Sequence, residues 1–569
     1  MAGGPGGTSE GLATASLLWA IVMSAFAAFG GILFGYDTGT IGGIIVMKDW
    51  IETFGTYDPS GVLGTDTQGR FLKTANKSLV VSILSAGTFV GALFAYPMGD
   101  IVGRKWGIVA SCCVFSLGIG LQLDTQWATF VVGRFIAGLG VGLVSCLVPM
   151  YQSECAPKSL RGLIVGLYQL AITLGALISA IVLNATKDFG DHSAWRIPIA
   201  VQFVWAFVLG GGMLLLPESP RYLLYKGRVN AARKALSRFT KTPPNSPEVD
   251  AQTQEIQQAL AAEQENANAS WFEADCFRNT ESKNGLRTWT GIWLQAWQQL
   301  TGKPQGFISP DHFAHTLEGI NFIMYYGTSF FSNSGIKNSF IITIIIDVVN
   351  TAMTIVGIQL IDRVGRRRLL LIGAAGMLVC EYIIAIVGTT VGQAGAGGIN
   401  LAAQRVLIAF ACFYIAFFAC SWGPVAWVVS GEIFSLKLRA KSMSLAIASN
   451  WLWNFGIGYA TPYLVDQSTK GQPNGVATAS LGVKVFFIWG STCVGCLLFA
   501  YFFIPETKGL SLEQIDLLYR NSSVLGSTRY RKEMLLDSET EAAKGNTEHV
   551  EDASDATISD PGLREKGKV

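Results

Sequence analysis

Charge is what this sequence has least of. Asp, Glu, Lys and Arg make up 14% of its 569 residues, against about 25% in a typical soluble domain. The net charge of +2 provides no basic field that would attract nucleic acid. Histidine is limited to four residues, and no cluster of cysteine and histidine has the spacing of metal ligands. We therefore expect neither a nucleic acid partner nor a metal.

Other chemical signatures are missing as well. The only C-x-x-C motif, at Cys493 and Cys496, lies in an apolar run without a second pair, so we interpret both as small packing residues. No nucleotide-binding loop and no pairing of a nucleophile with a base is found, so the sequence does not predict an enzyme or a cofactor. Residues 1–15 lack the basic region of a cleaved signal peptide, and the first apolar segment is expected to stay in the membrane.

What the sequence has instead is long apolar runs. Half of the residues are hydrophobic, and they gather in segments of about 20 residues, the length of helix that crosses a ~30 Å hydrocarbon core. Only helices satisfy the backbone polar groups of such segments within lipid. The sequence therefore predicts an all-α integral membrane protein with twelve transmembrane helices, at 18–43, 79–98, 107–123, 127–150, 162–184, 197–216, 288–333 (interrupted), 339–361, 368–391, 404–430, 441–465 and 481–504.

Lysine and arginine are concentrated in alternate loops. Arg104 follows the second apolar segment, Arg161 follows the fourth and Arg366 follows the eighth, whereas the intervening loops are poor in positive charge. Because positively charged loops stay on the cytosolic side, both termini are predicted to be cytosolic.

Three motifs occur twice and in the same order. GDIVGRK after the second segment matches IDRVGRR after the eighth, ECAPKSLR matches EIFSLKLR, and PESPR matches PETKG. Both copies of each lie on the same side of the membrane, so the chain is predicted to contain two parallel six-helix repeats that rock about a central site. The predicted divisions are an N-terminal segment (1–17), a first half (18–216), a cytosolic linker (217–287), a second half (288–504) and a partly disordered cytosolic tail (505–569).

Charged residues at the cytosolic helix ends form candidate latches. In each half a glutamate stands seven residues before an arginine, and a further arginine lies in the GR motif. Charge-assisted pairs among them can join helix ends in one conformation and separate in the other. The alternative is that they serve only to fix the topology. The residues are Arg104, Glu154 and Arg161 in the first half and Arg366, Glu432 and Arg439 in the second.

Together with QQLTG and INFIMYYG, these motifs resemble the sugar-porter family of the major facilitator superfamily over about residues 20–515. Fungal hexose–proton symporters are the most similar group. The resemblance implies the major facilitator fold and a plasma-membrane carrier that imports a monosaccharide, such as glucose, with a proton by alternating access. Its partners would be the sugar, the proton and the lipid bilayer, and no obligate protein partner is evident.

Two ionisable residues within predicted spans are candidates for proton coupling. Asp37 lies in the glycine-rich first span and Arg134 in the fourth, both in the outer half, so the two can meet. Arg134 favours the ionised form of Asp37, whereas burial favours the protonated form. A static buried ion pair is the alternative. The resemblance implies symport, because this family position carries Asp in proton-coupled members and commonly Asn in facilitators.

Amide and aromatic side chains in the spans suit a sugar, which offers hydroxyl groups and apolar C–H faces. Gln169 and Ile172 share one face of the fifth span. Asn454 and Trp451 of the eleventh span are further polar and aromatic candidates. The resemblance assigns sugar contacts to Gln169, Gln298, Gln299, Asn321, Asn350, Trp427 and Asn450, and an outer gate to Tyr325 and Tyr326.

Two questions stay open at this point. A transporter-like glucose sensor is the alternative from another functional class, although such a sensor would be expected to have a longer signalling tail. Within transporters, a carrier of a polyol, quinate or a disaccharide is the main competitor.

The seventh span is interrupted by residues 303–319, which contain two prolines and several charged residues. Removing these 17 residues would join QQLTG directly to INFIMYYG. As helix they would rotate the second part of the span by about 100° relative to the first. The segment is either a genuine loop in a discontinuous helix or a retained intron; we favour the intron and expect impaired transport from the chain as written.

Overall fold

The computed structural model describes residues 21–23, 25–58, 67–156, 160–264, 276–278, 283–300, 339–390, 401–435, 438–465, 479, 481, 484–510 and 512–536. Four predicted features lie outside these residues: Asn321, Tyr325, Tyr326 and the interrupting segment 303–319. For Arg161 the backbone is described and the side chain is not.

The first half of the chain is helical. The only sheet among the described residues pairs β1 (Thr56–Tyr57) with β2 (Arg70–Phe71), antiparallel, with Thr56 opposite Phe71. The helices are α1 (Phe29–Ile44), α2 (Lys48–Phe54), α3 (Thr74–Ile101), α4 (Arg104–Gln122), α5 (Trp127–Cys155), α6 (Arg161–Thr186) and α7 (Ser193–Leu215).

Three linker helices separate the halves: α8 (Pro220–Tyr225), α9 (Val229–Thr240) and α10 (Pro247–Gln264). The second half contains α11 (Asn284–Gln299), α12 (Ser339–Val364), α13 (Arg366–Thr390), α14 (Leu401–Cys420), α15 (Trp422–Glu432), α16 (Arg439–Val465) and α17 (Val485–Phe503). Helix α18 (Leu512–Asn521) follows, and its Asp516 pairs with Arg287 at the start of α11 over 2.7 Å.

Eleven of the twelve predicted spans overlap described helices, and the seventh is described only as far as Leu300. Within the described residues, nine helical segments are long and apolar enough to cross a membrane, or ten if α1 and α2, which are bent by 79°, form one span. Helix ends differ from the prediction by a few residues: α3 begins at Thr74 and α11 at Asn284. The tenth span is broken at Ser421 between α14 and α15, so Pro424 lies in the first turn of α15, where its missing N–H removes no helical hydrogen bond.

Glycine allows α1 to approach α6 closely. A methyl group on Gly35 would lie 1.9 Å from the carbonyl oxygen of Ile172, and one on Gly31 would lie 2.4 Å from that of Tyr168. No side chain fits at either position, so the glycine-rich sequence of α1 is needed for this packing. The contact places Asp37 of α1 inside the first half and Ile172 of α6 at the centre of the molecule.

Candidate functional site

A cavity lies between the two halves. It brings together six of the predicted sugar-binding residues: Gln169, Ile172, Gln298, Gln299, Asn350 and Trp427. Asn454, a further candidate from the sequence, lines the same cavity. Three more lining residues were not predicted from the sequence: Phe34, Thr38 and Phe418. The wall thus combines amide groups with aromatic and aliphatic surface.

Amide side chains from α11 and α16 form a connected network in the floor of this cavity. Asn450 Nδ2 donates to Gln298 Oε1 and to Gln295 Oε1, each over 2.8 Å. Gln299 Nε2 donates to Asn450 Oδ1 over 3.0 Å. Asn450 therefore does not line the cavity itself and instead orients the two glutamines that do. Such a network fixes which amide atoms remain for a ligand.

Gln295 is a residue of this network that the sequence analysis missed. Its Nε2 donates to Ser430 Oγ of α15 over 2.9 Å, and the side chain is fully buried. The sequence does indicate this residue, because Gln295 stands three residues before Gln298 on one helix and residues three or four apart share a face.

Trp427 and Gln169 connect the halves across the cavity. The indole Nε1 of Trp427 donates to Gln169 Oε1 over 3.0 Å. The ring of Trp427 also meets that of Tyr168 edge to face, with 5.2 Å between centroids. By contrast, Asn350 Oδ1 is buried and has no hydrogen-bond partner among the residues that the structure describes. An unsatisfied polar atom in the wall is costly unless a ligand or water binds it.

Asp37 and Arg134 meet, as predicted, in the core of the first half. Arg134 Nη1 donates to Asp37 Oδ1 over 3.0 Å, and the two residues are 1% and 0% exposed. Within the described part of the chain, Asp37 Oδ2 and the Nε and Nη2 atoms of Arg134 have no hydrogen-bond partner. Gln202 of α7 also faces the carboxyl group. Only one hydrogen bond joins the guanidinium group to the carboxylate, although such groups can form two, so neither charge is fully compensated.

The first candidate latch is a buried cluster at the N-terminal end of α4. Arg104 Nη2 donates to Glu154 Oε1 over 2.9 Å, and Ser219 Oγ donates to the other oxygen of Glu154. Glu218, from the PESPR motif, accepts from the backbone N–H of Arg104 and of Lys105, each over 3.1 Å. It thereby caps the N-terminus of α4, where a carboxylate is favourable. Burial raises the pKa of Glu218 above its usual range.

The second half repeats this cluster. Arg366 Nη2 donates to Glu432 Oε1 over 2.9 Å, and Thr507 Oγ1 donates to Glu432 Oε2 over 2.9 Å. Glu506, from the PETKG motif, accepts from the backbone N–H of Arg366 over 3.0 Å. Each pair therefore joins helix ends within one half. Arg439 donates to the carbonyl of Phe434 over 3.2 Å. The sequence repeat identified these motifs but not the capping role of Glu218 and Glu506.

The Arg366 cluster of the second half also contacts the first half. A methyl group on Gly162 of α6 would lie 2.9 Å from Arg366 Nη2 and from Asp362 Oδ1. Closer to the cavity, Trp451 Nε1 of α16 donates to Ser145 Oγ of α5 over 3.3 Å. Both contacts join the first half to the second.

The repeated motifs, the paired helical halves and the central cavity agree with the comparisons. A model of the family "Sugar (and other) transporter" matches residues 23–316 and 311–519. The chain belongs to this family. Sugar transporters of the major facilitator superfamily are carriers rather than enzymes, and this membrane-embedded, multi-pass chain has their all-α fold.

Relatives and a solved structure extend the match. The major facilitator-type transporter ecdD of Aspergillus rugulosus is 46% identical over 98% of this chain and 98% of its own length. The probable glucose transporter rco-3 of Neurospora crassa is 43% identical over 88% and 79%. The high glucose sensor RGT2 of Saccharomyces cerevisiae is 39% identical over 92% of this chain and 64% of its own length. The proton:xylose symporter XylE bound to 6-bromo-6-deoxy-D-glucose superposes with a TM-score of 0.69 at 25% identity, covering 89% of this chain and 100% of that structure.

Proposed function

We propose that this protein imports a hexose of the glucose type together with a proton, by alternating access, across the plasma membrane with both termini in the cytosol. The observation that carries the proposal is the pairing of two sites in one bundle. One is a cavity lined by amides and aromatic rings, and the other is the buried carboxyl–guanidinium pair of Asp37 and Arg134.

The cavity suits an uncharged, hydroxyl-rich molecule. Its polar atoms are amides, which both donate and accept, while Trp427, Phe34 and Phe418 offer apolar faces to C–H surfaces. No charged side chain is among the described lining residues, which disfavours an organic acid such as quinate. The name of the Neurospora relative supports glucose as the first substrate to test.

The carboxyl–guanidinium pair supports proton coupling. Thr38, the neighbour of Asp37, lines the cavity, so closure around sugar is transmitted to the carboxyl group through one helix. Protonation of Asp37 would release Arg134 and change how α1 packs against α5. Binding of sugar and of the proton would then favour the same conformation, which is the requirement for symport. Tyr325 and Tyr326 are proposed as the outer gate.

The test uses purified protein in proteoliposomes. Counterflow of radiolabelled glucose should occur without a proton gradient, and an inward proton gradient should drive accumulation above equilibrium with acidification of the lumen. Counterflow without any gradient-driven accumulation would make the protein a facilitator. Absence of counterflow with glucose, but exchange of a polyol or a disaccharide, would reassign the substrate.

A glucose sensor is a second candidate, favoured by the 39% identity to a protein with that name. It predicts saturable glucose binding by the purified protein without counterflow at any pH. The same proteoliposomes therefore distinguish the two functions.

A further inference from the structure

Asp347 of α12 is a second carboxyl group buried in the membrane-spanning core. Unlike Asp37, it has no counter-ion among the described residues. The residue is 3% exposed, and none of the described residues forms a hydrogen bond with its Oδ1. Throughout the described part of the chain no charged group acts on it, in contrast to Asp37, which has Arg134 at 3.0 Å. The function proposed above does not use Asp347.

Asp347 belongs to a polar stripe that reaches the cavity. Asn350, Thr351 and Thr354 follow it at three, four and seven residues, so all four lie on one face of α12. Asn350 lines the cavity. Asp347 therefore lies one helical turn from the cavity wall, on the side of Asn350 that is farther from the Arg366 cluster.

The internal repeat shows which way this face points. Aligning Gly103 with Gly365 places Ser85 of α3 at the position that Asp347 has in α12. Ser85 Oγ donates to Asn454 Oδ1 of α16 over 2.7 Å, across the interface between the halves. Helix α12 packs against α6 of the first half, and Ile358, which is eleven residues after Asp347 and so on the same face, lies 3.1 Å from where a methyl group on Gly166 of α6 would be. Asp347 thus occupies a position at the interface that moves during alternating access.

The repeat also predicts which residue faces Asp347 from the first half. Aligning Glu154 with Glu432 places Ala176 of α6 at the position that Asn454 has in α16. Ala176 lines the cavity and has no polar side-chain atom. The position equivalent to Asn454 therefore offers Asp347 no hydrogen bond of the kind that Asn454 forms with Ser85.

The ionisable groups of the packed helices are engaged elsewhere. On α6, Tyr168 packs against Trp427 and Lys187 lies over the ring of Phe340. Glu432 of α15 pairs with Arg366 of α13, and Cys420 of α14 donates to the carbonyl of Met353. The remaining titratable side chains on these helices that the structure describes are Arg367, Arg368, Cys380, Glu381, Tyr382, Arg405, Cys412 and Tyr414, and none acts electrostatically on Asp347.

An isolated carboxylate in this position is strongly unfavourable, because burial removes its hydration and no cation replaces it. Water that enters an open cavity restores that hydration. We propose that Asp347 is a second proton-binding site, in the second half, which must be protonated before the halves close around sugar. The proposal rests on the transport function proposed above but not on coupling through Asp37.

The test is equilibrium exchange of labelled glucose in proteoliposomes with equal pH on both sides, measured across a pH series. Exchange requires closure around sugar but no net proton movement. In the unmodified protein it should fall as pH rises, because ionised Asp347 opposes closure. Asp347→Asn is neutral at every pH and nearly isosteric, so it should shift the alkaline decline upward by about one pH unit or more, or abolish it.

Glu381→Gln is the matched control. Glu381 of α13 is also a buried carboxyl, 1% exposed with Oε2 unpartnered. It lies against Gly490 of α17 rather than the cavity, with its Cβ 3.3 Å from where a Gly490 methyl group would be. Its substitution should leave the pH profile of exchange unchanged.

Coincident profiles for Asp347→Asn and the unmodified protein would overturn the proposal, as would an equal shift in Glu381→Gln. If Asp347→Asn does not fold, Asp347→Ser introduces the residue found at the equivalent position of the first half and should show the same shift. Infrared difference spectra recorded on a pH change provide a readout that needs no sugar. A protonated-carboxyl band that disappears in Asp347→Asn, but persists in Glu381→Gln, supports the site even if glucose is not the substrate; an unchanged band opposes it.

Discussion

The Nε1 of Trp427 and the Oε1 of Gln169 form a 3.0 Å hydrogen bond from one half of the protein to the other. Both side chains line the cavity, so a sugar hydroxyl that binds either one competes with this bond or adds to it. Substrate binding and the relative position of the halves therefore depend on the same two groups.

Gln169→Ala should weaken sugar binding. The substitution removes an amide from the cavity and leaves the sugar hydroxyl that it would bond without a partner in the closed site, which costs about 1–3 kcal/mol. We expect the Kd for glucose to rise by about tenfold or more, measured by tryptophan fluorescence titration of purified protein.

Gln122→Ala is the control for Gln169→Ala. Gln122 is a buried amide of α4 that donates to the Gly118 carbonyl over 3.4 Å, away from the cavity lining. Its substitution should lower stability slightly and leave the Kd unchanged. An equal loss of affinity in both variants would mean that Gln169 acts through stability alone.

Asp37→Asn should separate exchange from accumulation. Asparagine keeps the shape of the side chain but can neither gain a proton nor pair as an ion with Arg134. Counterflow of glucose is expected to persist, while accumulation driven by a proton gradient should be lost. Both are measured in the same proteoliposomes. Asp250→Asn, at a carboxyl of linker helix α10 that is 39% exposed and pairs with Arg233, serves as the comparison and should retain accumulation. Concentrative uptake by Asp37→Asn would contradict the assignment.

Gly103→Ala should destabilise the first latch. Gly103 has φ +101°, and a methyl group there would lie 2.4 Å from Glu218 Oε2. The substitution therefore combines backbone strain of about 1–2 kcal/mol with displacement of the carboxylate that caps α4. Thermal unfolding in detergent measures the change.

Gly227→Ala separates strain from displacement. Gly227 has φ +72°, and a methyl group there meets nothing within 4 Å, so only the backbone strain remains. We expect the melting temperature to fall clearly more for Gly103→Ala than for Gly227→Ala. Equal losses would show that the capping of α4 by Glu218 adds nothing to stability.

The helices and their repeat could be predicted because they depend on composition along the chain. Apolar runs of sufficient length located the spans, and the recurring motifs located Arg104 and Arg366 at equivalent positions. The capping by Glu218 could not be predicted in the same way, because it bonds to backbone N–H groups far away in sequence. Such a contact follows from tertiary packing alone.

Within the site, residue type decided what was recognised. Amide side chains are rare in apolar spans, so the sequence indicates Gln169 and Asn350 as functional candidates. Phe34 and Phe418 also line the cavity, but phenylalanine is common in apolar spans and its sequence position does not distinguish a cavity residue from a lipid-facing one. Asp347 was missed for a different reason. It is ionisable and lies within a predicted span, so the sequence contained the same signal as for Asp37. Its burial and its lack of a counter-ion among the described residues are visible only in the structure.

The interrupted seventh span provides the last prediction. Helix α11 ends at Gln299, and residues 303–319 lie outside the described residues. The two family-model matches overlap at 311–316, inside this segment, which supports the interpretation of 303–319 as an insertion. A variant lacking 303–319 has the continuous sequence QQLTGINFIMYYG, in which one helix can present Gln299 and Asn321 to the same sugar. We expect it to transport glucose about tenfold or more faster than the full chain, since misplacing binding groups by about 1 Å has effects of this size or larger.

Replacing 303–319 with an equally long Gly–Ser segment is the control for this deletion. It removes the charges and prolines but keeps the interruption, so transport should stay impaired. Initial rates of labelled glucose uptake in proteoliposomes compare the three proteins, and sequencing the transcript shows whether the 17 codons are retained. A mature transcript containing these codons would exclude a retained intron. Uptake by the full chain as fast as by the deletion variant would instead show that the segment is a loop which the transporter accommodates.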